Sequence, residues 1–244
     1  MSGFKGFTFG ENDEHVGKKG NRWKGETGQT YRFSFIMWPD LDKGTPNLDA
    51  PGPDFRGAMT HYMEKVGYVV NKGPEYTKMA GSPPRSRIGT AVVVWPTNKD
   101  GGLDTEKVQR GECDVKAWIF SDDKYKSLKM THREFHFGQH DITVQCSDTQ
   151  YQKLTFSPCK ENLFRKFLEA TNDKGKAIAA KILKDAQEVA SNMDNEVGRE
   201  LTIEQVKQAL AGQSLTSGGT GTTGTPDMAV TGDIDDLVGD ILDD

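Results

Sequence analysis

The run Ala91-Val92-Val93-Val94, inside the segment Ile88 to Trp95, sets the first constraint on this chain. Consecutive β-branched side chains favour an extended backbone, and an unbroken apolar run has no polar face to turn to water. Such a strand must be covered on both sides. A second strand, Gln29 to Trp38, alternates instead. Tyr31, Phe33, Phe35 and Met37 fall on one face, and Arg32, Ser34, Ile36 and Trp38 on the other, before Pro39 ends it.

More strands follow the same logic. Asp114 to Phe120 reads as one, Gly67 to Val70 as a short one. Ile142 to Cys146 and Tyr151 to Phe156 form a hairpin around Ser147-Asp148-Thr149-Gln150. Asp40 to Phe55 reads as a loop, Ala58 to Lys65 as a short helix, and Lys72 to Arg87, with Gly73, Pro74, Gly81, Pro83 and Pro84, as a long loop. Pro96 to Gly102 is a turn-rich connection. Ser121-Asp122-Asp123 caps a helix from about Asp123 to Met130.

Beyond Pro158 the apolar period changes to that of helices: Asn162 to Ala170, Lys176 to Met193 and Thr202 to Ala211. The last begins Thr202-Ile203-Glu204-Gln205, a capping box, and Gly212 stops it. Residues 1–28 are a Gly- and Lys-rich arm with Phe4, Phe7 and Phe9. Residues 213–226 are a Gly/Thr/Ser linker. The expected architecture is mainly β: an OB-like five-stranded barrel over 29–158, helices over 159–212, and a disordered acidic tail over 213–244.

Charge is divided along the chain. The net charge is −5, but seven of the 36 acids lie after Gln213, where there is no Lys or Arg. The body keeps 29 acids against 31 bases, so a slightly basic body precedes a tail of −7. In the tail, Ile234, Leu237, Ile241 and Leu242 are spaced among Asp235, Asp236, Asp243 and Asp244, as in a peptide that docks on a partner groove with a basic rim. Cys113, Cys146 and Cys159 form no CxxC pair, which fits a reducing cytoplasm rather than a disulfide framework. Residues 1–10 lack a signal-peptide core, and no apolar run approaches the roughly 20 residues of a membrane span.

Basic and aromatic residues interleave through the body. Lys18, Lys19, Arg22, Trp23 and Lys24 precede the first strand, and Tyr31 and Arg32 begin it. Arg85 and Arg87 precede the valine run. Lys116 and Trp118 lie on the Asp114 to Phe120 strand, and Lys124, Tyr125, Lys126 and Lys129 on the helix after it. A single-strand binder needs this pairing: cations neutralise phosphates, and flat rings stack on unpaired bases for about 1–3 kcal/mol per base. Rings on strands are also ordinary core residues, as expected in part for Phe33, Phe35 and Phe120.

His132, His136 and His140 recur every four residues. A metal site would suit that spacing on a helix, but Gly138 weakens a helix there and the run is not HExxH, so surface or nucleic-acid-facing histidines are the expectation. No GxSxG, Walker or dinucleotide fingerprint is present, and no nucleophile–base set emerges. The expectation is a binding protein without catalysis, cofactor or metal. A metal-dependent nuclease using scattered acids, and a protein adaptor that never touches DNA, are the alternatives.

The order of these landmarks resembles the single-stranded-DNA-binding, helix-destabilising proteins of tailed bacteriophages of the T-even type. The likeness rests on Tyr31-Arg32-Phe33 ending near Pro39, Ala91 to Val94 followed by Pro96, Val115-Lys116-Ala117-Trp118-Ile119-Phe120 feeding a Lys/Tyr helix, the hairpin, and the terminal Asp/Leu peptide. It implies an OB fold, sequence-independent binding of single strands in replication, recombination and repair, and a location in the host cytoplasm. It also implies a tail that recruits replication proteins and screens the DNA groove, with Tyr31, Arg32, Lys116, Trp118, Lys124, Tyr125 and Lys126 lining that groove. Two departures stand out. The span Asp40 to Arg87 has His61 but no cysteine, so the family's zinc subdomain is not expected. The arm carries only Lys5, Lys18, Lys19, Arg22 and Lys24 amid glycines, which leaves self-association on DNA open.

Overall fold

A computed structural model describes residues 22–38, 46–98, 100–147 and 153–212. Most of the N-terminal arm, with Lys18 and Lys19, and the whole linker and acidic tail, with Ile234, Asp235, Asp236, Leu237, Ile241, Leu242, Asp243 and Asp244, lie outside the described residues.

Seven strands make one open antiparallel sheet: β1 (Thr30–Phe35), β2 (Arg56–Met63), β3 (Gly67–Val70), β4 (Arg85–Trp95), β5 (Asp114–Phe120), β6 (Ile142–Cys146) and β7 (Leu154–Pro158). The order is β3-β2-β4-β1-β6-β7, with β5 on the other edge of β4. The sheet is open among the described residues: no pairing joins β5 to β7.

The valine strand is the hub. Its first half pairs with β2, its last residues pair with β1, and β5 lies along its opposite edge. Side chains alternate across a strand, so the register Phe35↔Val92↔Lys116 and Thr90↔Trp118 puts Phe33, Phe35, Val92 and Trp118 on one face. Ser34, Ala91, Val93 and Trp95 take the other. Ala91, Val92 and Val93 are fully buried, as a strand covered on both sides requires.

Aromatic rings fill the first face. Trp118 meets Phe33 at 5.1 Å, Phe120 at 4.9 Å and Phe156 at 5.8 Å between centroids. Phe137 stacks on Phe35 at 4.4 Å. Burying such rings contributes about 1.5–3 kcal/mol each, and good ring pairs add about 0.5–1.5 kcal/mol. The helix over Asp122–Glu134 caps this face with the buried Leu128.

The described helices are α1 (Pro74–Ala80), α2 (Thr105–Gln109), α3 (Asp122–Glu134), α4 (Leu163–Leu168), α5 (Asp173–Ser191), α6 (Met193–Val197) and α7 (Ile203–Leu210). Helices α4 to α6 cover the second face, and Phe164, Ile182, Met193 and Val197 belong to the same core as Phe33 and Val92. Gly89 permits the close approach. A Cβ there would lie 2.7 Å from Met193 Sδ and 2.9 Å from Val197 Cγ2. A second, smaller core of Met63, Val66, Val69, Tyr76, Leu201 and Val206 joins the β2–β3 hairpin to α1 and α7. The capping box of α7 is present: Gln205 N donates to Thr202 Oγ1, and Thr202 N to Gln205 Oε1.

Two expected elements are corrected. Ala58 to Lys65 is not helical; residues 56–63 form β2, because pairing with β3 and β4 outweighs the helix propensity of Ala58, Met59 and Met63. The expected loop over Lys72 to Arg87 holds α1, with Pro74 in the first turn and Gly81 at φ 69° closing it, and β4 already begins at Arg85. The short α2, capped by Asp104, was not foreseen.

Candidate nucleic-acid interface

The residues expected to bind a strand separate into three groups. The first faces the aromatic interior. Trp118 is 2 % exposed, which corrects its expected stacking role: the alternation of β5 turns it inward. Trp23 is inserted beside it, 5.1 Å from Tyr31 and 4.9 Å from Phe33, with its backbone N–H donating to the Ala117 carbonyl. Tyr31 accepts a hydrogen bond from Glu26 N at 2.8 Å. Lys116 is half-buried on the same face, and Lys24 is exposed at the start of this segment.

Arg32 is corrected as well. It lies on the opposite face, where its Nε donates to Asp141 Oδ2 at 2.8 Å and its Nη2 to the Glu161 carbonyl. Asp141 is closed to solvent. It also accepts from the Ser34 hydroxyl and from Leu163 N, at the start of α4. Trp95 Nε1 donates to Ser34 Oγ at 2.7 Å. Burial pushes the Asp141 carboxyl up to about 6, although Ser34, Arg32 and Leu163 pull it down. This network fastens β1, β4, β6 and α4 together; it is a structural joint, not an open cation.

The second group is on α3. Lys126 pairs with Asp122 at 2.6 Å, and Asp122 is four residues away on the same helix. Tyr125 is half-buried with its ring edge against Phe55 at 5.1 Å. Lys124 is half-buried, and Lys129 is exposed.

The third group is the most promising surface. Arg85 and Arg87 share one face of the sheet with Arg56, Thr60, Tyr62 and Tyr68, as the pairs Thr60↔Arg85, Ala58↔Arg87 and Tyr62↔Tyr68 require. The Arg87 guanidinium lies 3.3 Å from the centroid of the Tyr68 ring, and Tyr62 meets Tyr68 at 5.2 Å. Arg87 Nε donates to the Val197 carbonyl at 3.0 Å, and Arg22 Nη2 donates to the Glu196 carbonyl at 2.9 Å, so both guanidinium groups gather at the end of α6. Cations are favoured at the carbonyl end of a helix. Both tyrosines are partly exposed and Arg85 is exposed.

Tyr62, Tyr68 and Arg56 were missed in the sequence. The alternation Arg56, Ala58, Thr60, Tyr62 was the available signal, hidden by the helical reading of that stretch.

The histidines are pinned to backbone. His132 Nε2 is 3.0 Å from the Pro51 carbonyl, His136 Nε2 is 2.9 Å from that of Ala50, and His140 Nδ1 is 2.9 Å from that of Cys159. Desolvation lowers the pKa of His132. Gly138 lets the Leu48 carbonyl pass where a Cβ would stand. Among the described residues no three of His, Cys, Asp or Glu gather as metal ligands. Burial pushes the Cys113 thiol up to about 11, and it raises Cys159 too, so neither is an activated nucleophile. No described helix is long and apolar enough to cross a membrane. In comparisons with known proteins no family model, curated protein or solved structure gives a significant match.

Proposed function

We propose that this chain is a sequence-independent single-stranded-DNA-binding protein acting in phage replication, recombination and repair. The observation that carries the reading is the face bearing Tyr62, Tyr68, Arg85 and Arg87. Both rings are partly exposed, as stacking on unpaired bases requires, and the exposed Arg85 beside them suits phosphates.

The scaffold is compatible with an OB-like, partly open barrel. The strands β5-β4-β1-β6-β7 follow one another in pairing, and Trp118 of β5 reaches Phe156 of β7 across the unpaired gap. In this reading the acidic tail recruits replication proteins. Fluorescence anisotropy with a labelled oligo-dT tests the proposal. Binding to single strands in preference to duplex, falling steeply as salt rises, is the expected result; no binding at low salt contradicts it.

A further inference from the structure

We propose that the pocket between α2, α4 and α5 receives one large apolar side chain from an acidic peptide of a partner protein. The inference goes beyond the strand-binding reading and rests on a surface which that reading does not use.

The pocket has a volume of about 320 Å³. That is the small end of ligand sites, which run over roughly 300–1,000 Å³, and it suits one side chain better than a cofactor. Its wall is apolar: Val108 of α2, Leu163 and Phe167 of α4, Ala170, and Ile178 of α5. Phe167 is half-buried and stacks on Trp95 at 5.7 Å, so its ring is held before anything binds. Trp95 ends β4, whereas Arg85 begins it. Eleven residues of strand put those ends roughly 33 Å apart. An occupant of the pocket therefore leaves the face of Tyr62, Tyr68 and Arg85 open.

The rim is cationic. The residues lining the pocket include Lys166 and Lys174 and no acid. Lys174, Ile178 and Lys181 follow one stripe of α5, at i, i+4 and i+7, until the half-buried Asp185 ends the run. Lys174 and Lys181 are exposed and make no ion pair among the described residues, while Lys166 is paired with Glu161. A nucleic-acid base does not suit this wall. Its polar edge would lie against Val108, Leu163 and Ile178, and polar groups buried without partners cost about 1–3 kcal/mol. Besides the lysines the lining offers the side-chain amides of Gln109 and Asn172, and the Asn172 oxygen already accepts from Gly175 N at 2.7 Å. A phenyl or branched aliphatic group needs no partner at its edge. Carboxylates beside it meet the lysines, so one buried anchor supplies affinity and the charged rim supplies orientation.

The test uses the full chain with 13C-labelled isoleucine methyl groups, the Ile178 signal being assigned with Ile178→Val. The probe is the peptide acetyl-Glu-Glu-Phe-Glu-Glu-amide, which should move the Ile178 signal saturably. Replacing its Phe by Ala should weaken binding at least about tenfold. Lys174→Glu in the protein should weaken it about threefold. A probe with Lys in place of each Glu should bind the Lys174→Glu variant better than the wild type. Free 3-phenylpropionate, with the same ring and a single carboxylate, should bind more weakly than the peptide. An Ile178 signal that the peptide leaves unmoved overturns the proposal. Equal binding of 3-phenylpropionate overturns it by giving the pocket to small carboxylates. A signal moved by oligo-dT gives the pocket to the strand, and one moved by Phe7→Ser or Leu237→Ser without peptide gives it to the chain's own ends; either result overturns the proposal.

Discussion

Arg87 lies over the ring of Tyr68, its guanidinium carbon 3.3 Å from the ring centroid, while its Nε donates to the Val197 carbonyl. One residue thereby holds the end of α6 to the sheet and fixes the ring beside it. A ring held in this way loses little freedom when a base stacks on it. The adjacent Arg85 is exposed.

Arg85→Gln is accordingly expected to weaken oligo-dT binding about equally for all sequences. It should also lower the slope of log affinity against log salt by about 1. Titrations at several salt concentrations measure both. An unchanged slope places Arg85 away from the phosphates.

Trp118→Ala should act on stability. Removing a buried indole from the aromatic interior costs about 3–5 kcal/mol, read as a lower urea midpoint. A variant that keeps its midpoint but loses strand binding would return Trp118 to the binding surface.

Gly89→Ala tests the packing of α6 on the valine strand. The added methyl meets Ile119 Cδ1 at 2.7 Å as well as Met193 and Val197. Overpacking of this kind costs about 1–3 kcal/mol. Unchanged stability by chemical denaturation would show that the helix is not so close.

Asp141 gives a pH signature. Its folded-state pKa, about 6, is above the ordinary carboxyl value of 3.8. Between those values the folded protein holds a proton that the unfolded chain has released. This group's contribution to stability is therefore full below about pH 4, declines as pH rises, and is lost above about pH 6. Asp141→Asn cannot titrate, so the wild type should lose stability relative to it from pH 4 to pH 7. A difference that is flat, or grows with pH, contradicts the buried, protonatable carboxyl.

Much of the scaffold was legible because single strands carry their own pattern. Alternation in residues 30–35 and the valine run gave β1 and β4, and Thr202 with Gln205 gave the cap of α7. Elements that depend on partners were not legible. Residues 56–63 contain Ala58, Met59 and Met63, good helix formers, and became a strand only through β3 and β4. Gly73-Pro74 and Gly81 punctuate a helix with the residues that punctuate a loop. The candidate site was half legible for the same reason. Arg85 and Arg87 stood out as cations, but Tyr62 and Tyr68 come together only through the β2–β3 register. Trp118 has the composition of a stacking residue, and only the pairing of β5 with β4 sets it on the face it shares with Phe33 and Phe35.

The most direct test is oligo-dT affinity of Tyr62→Ala/Tyr68→Ala in the full chain, beside a urea denaturation of the same protein. With base stacking worth about 1–3 kcal/mol per ring, affinity should fall at least about tenfold under conditions where the denaturation shows the variant to be folded, although loss of the ring under Arg87 lowers the midpoint. Wild-type affinity in that variant would contradict the assignment of this face.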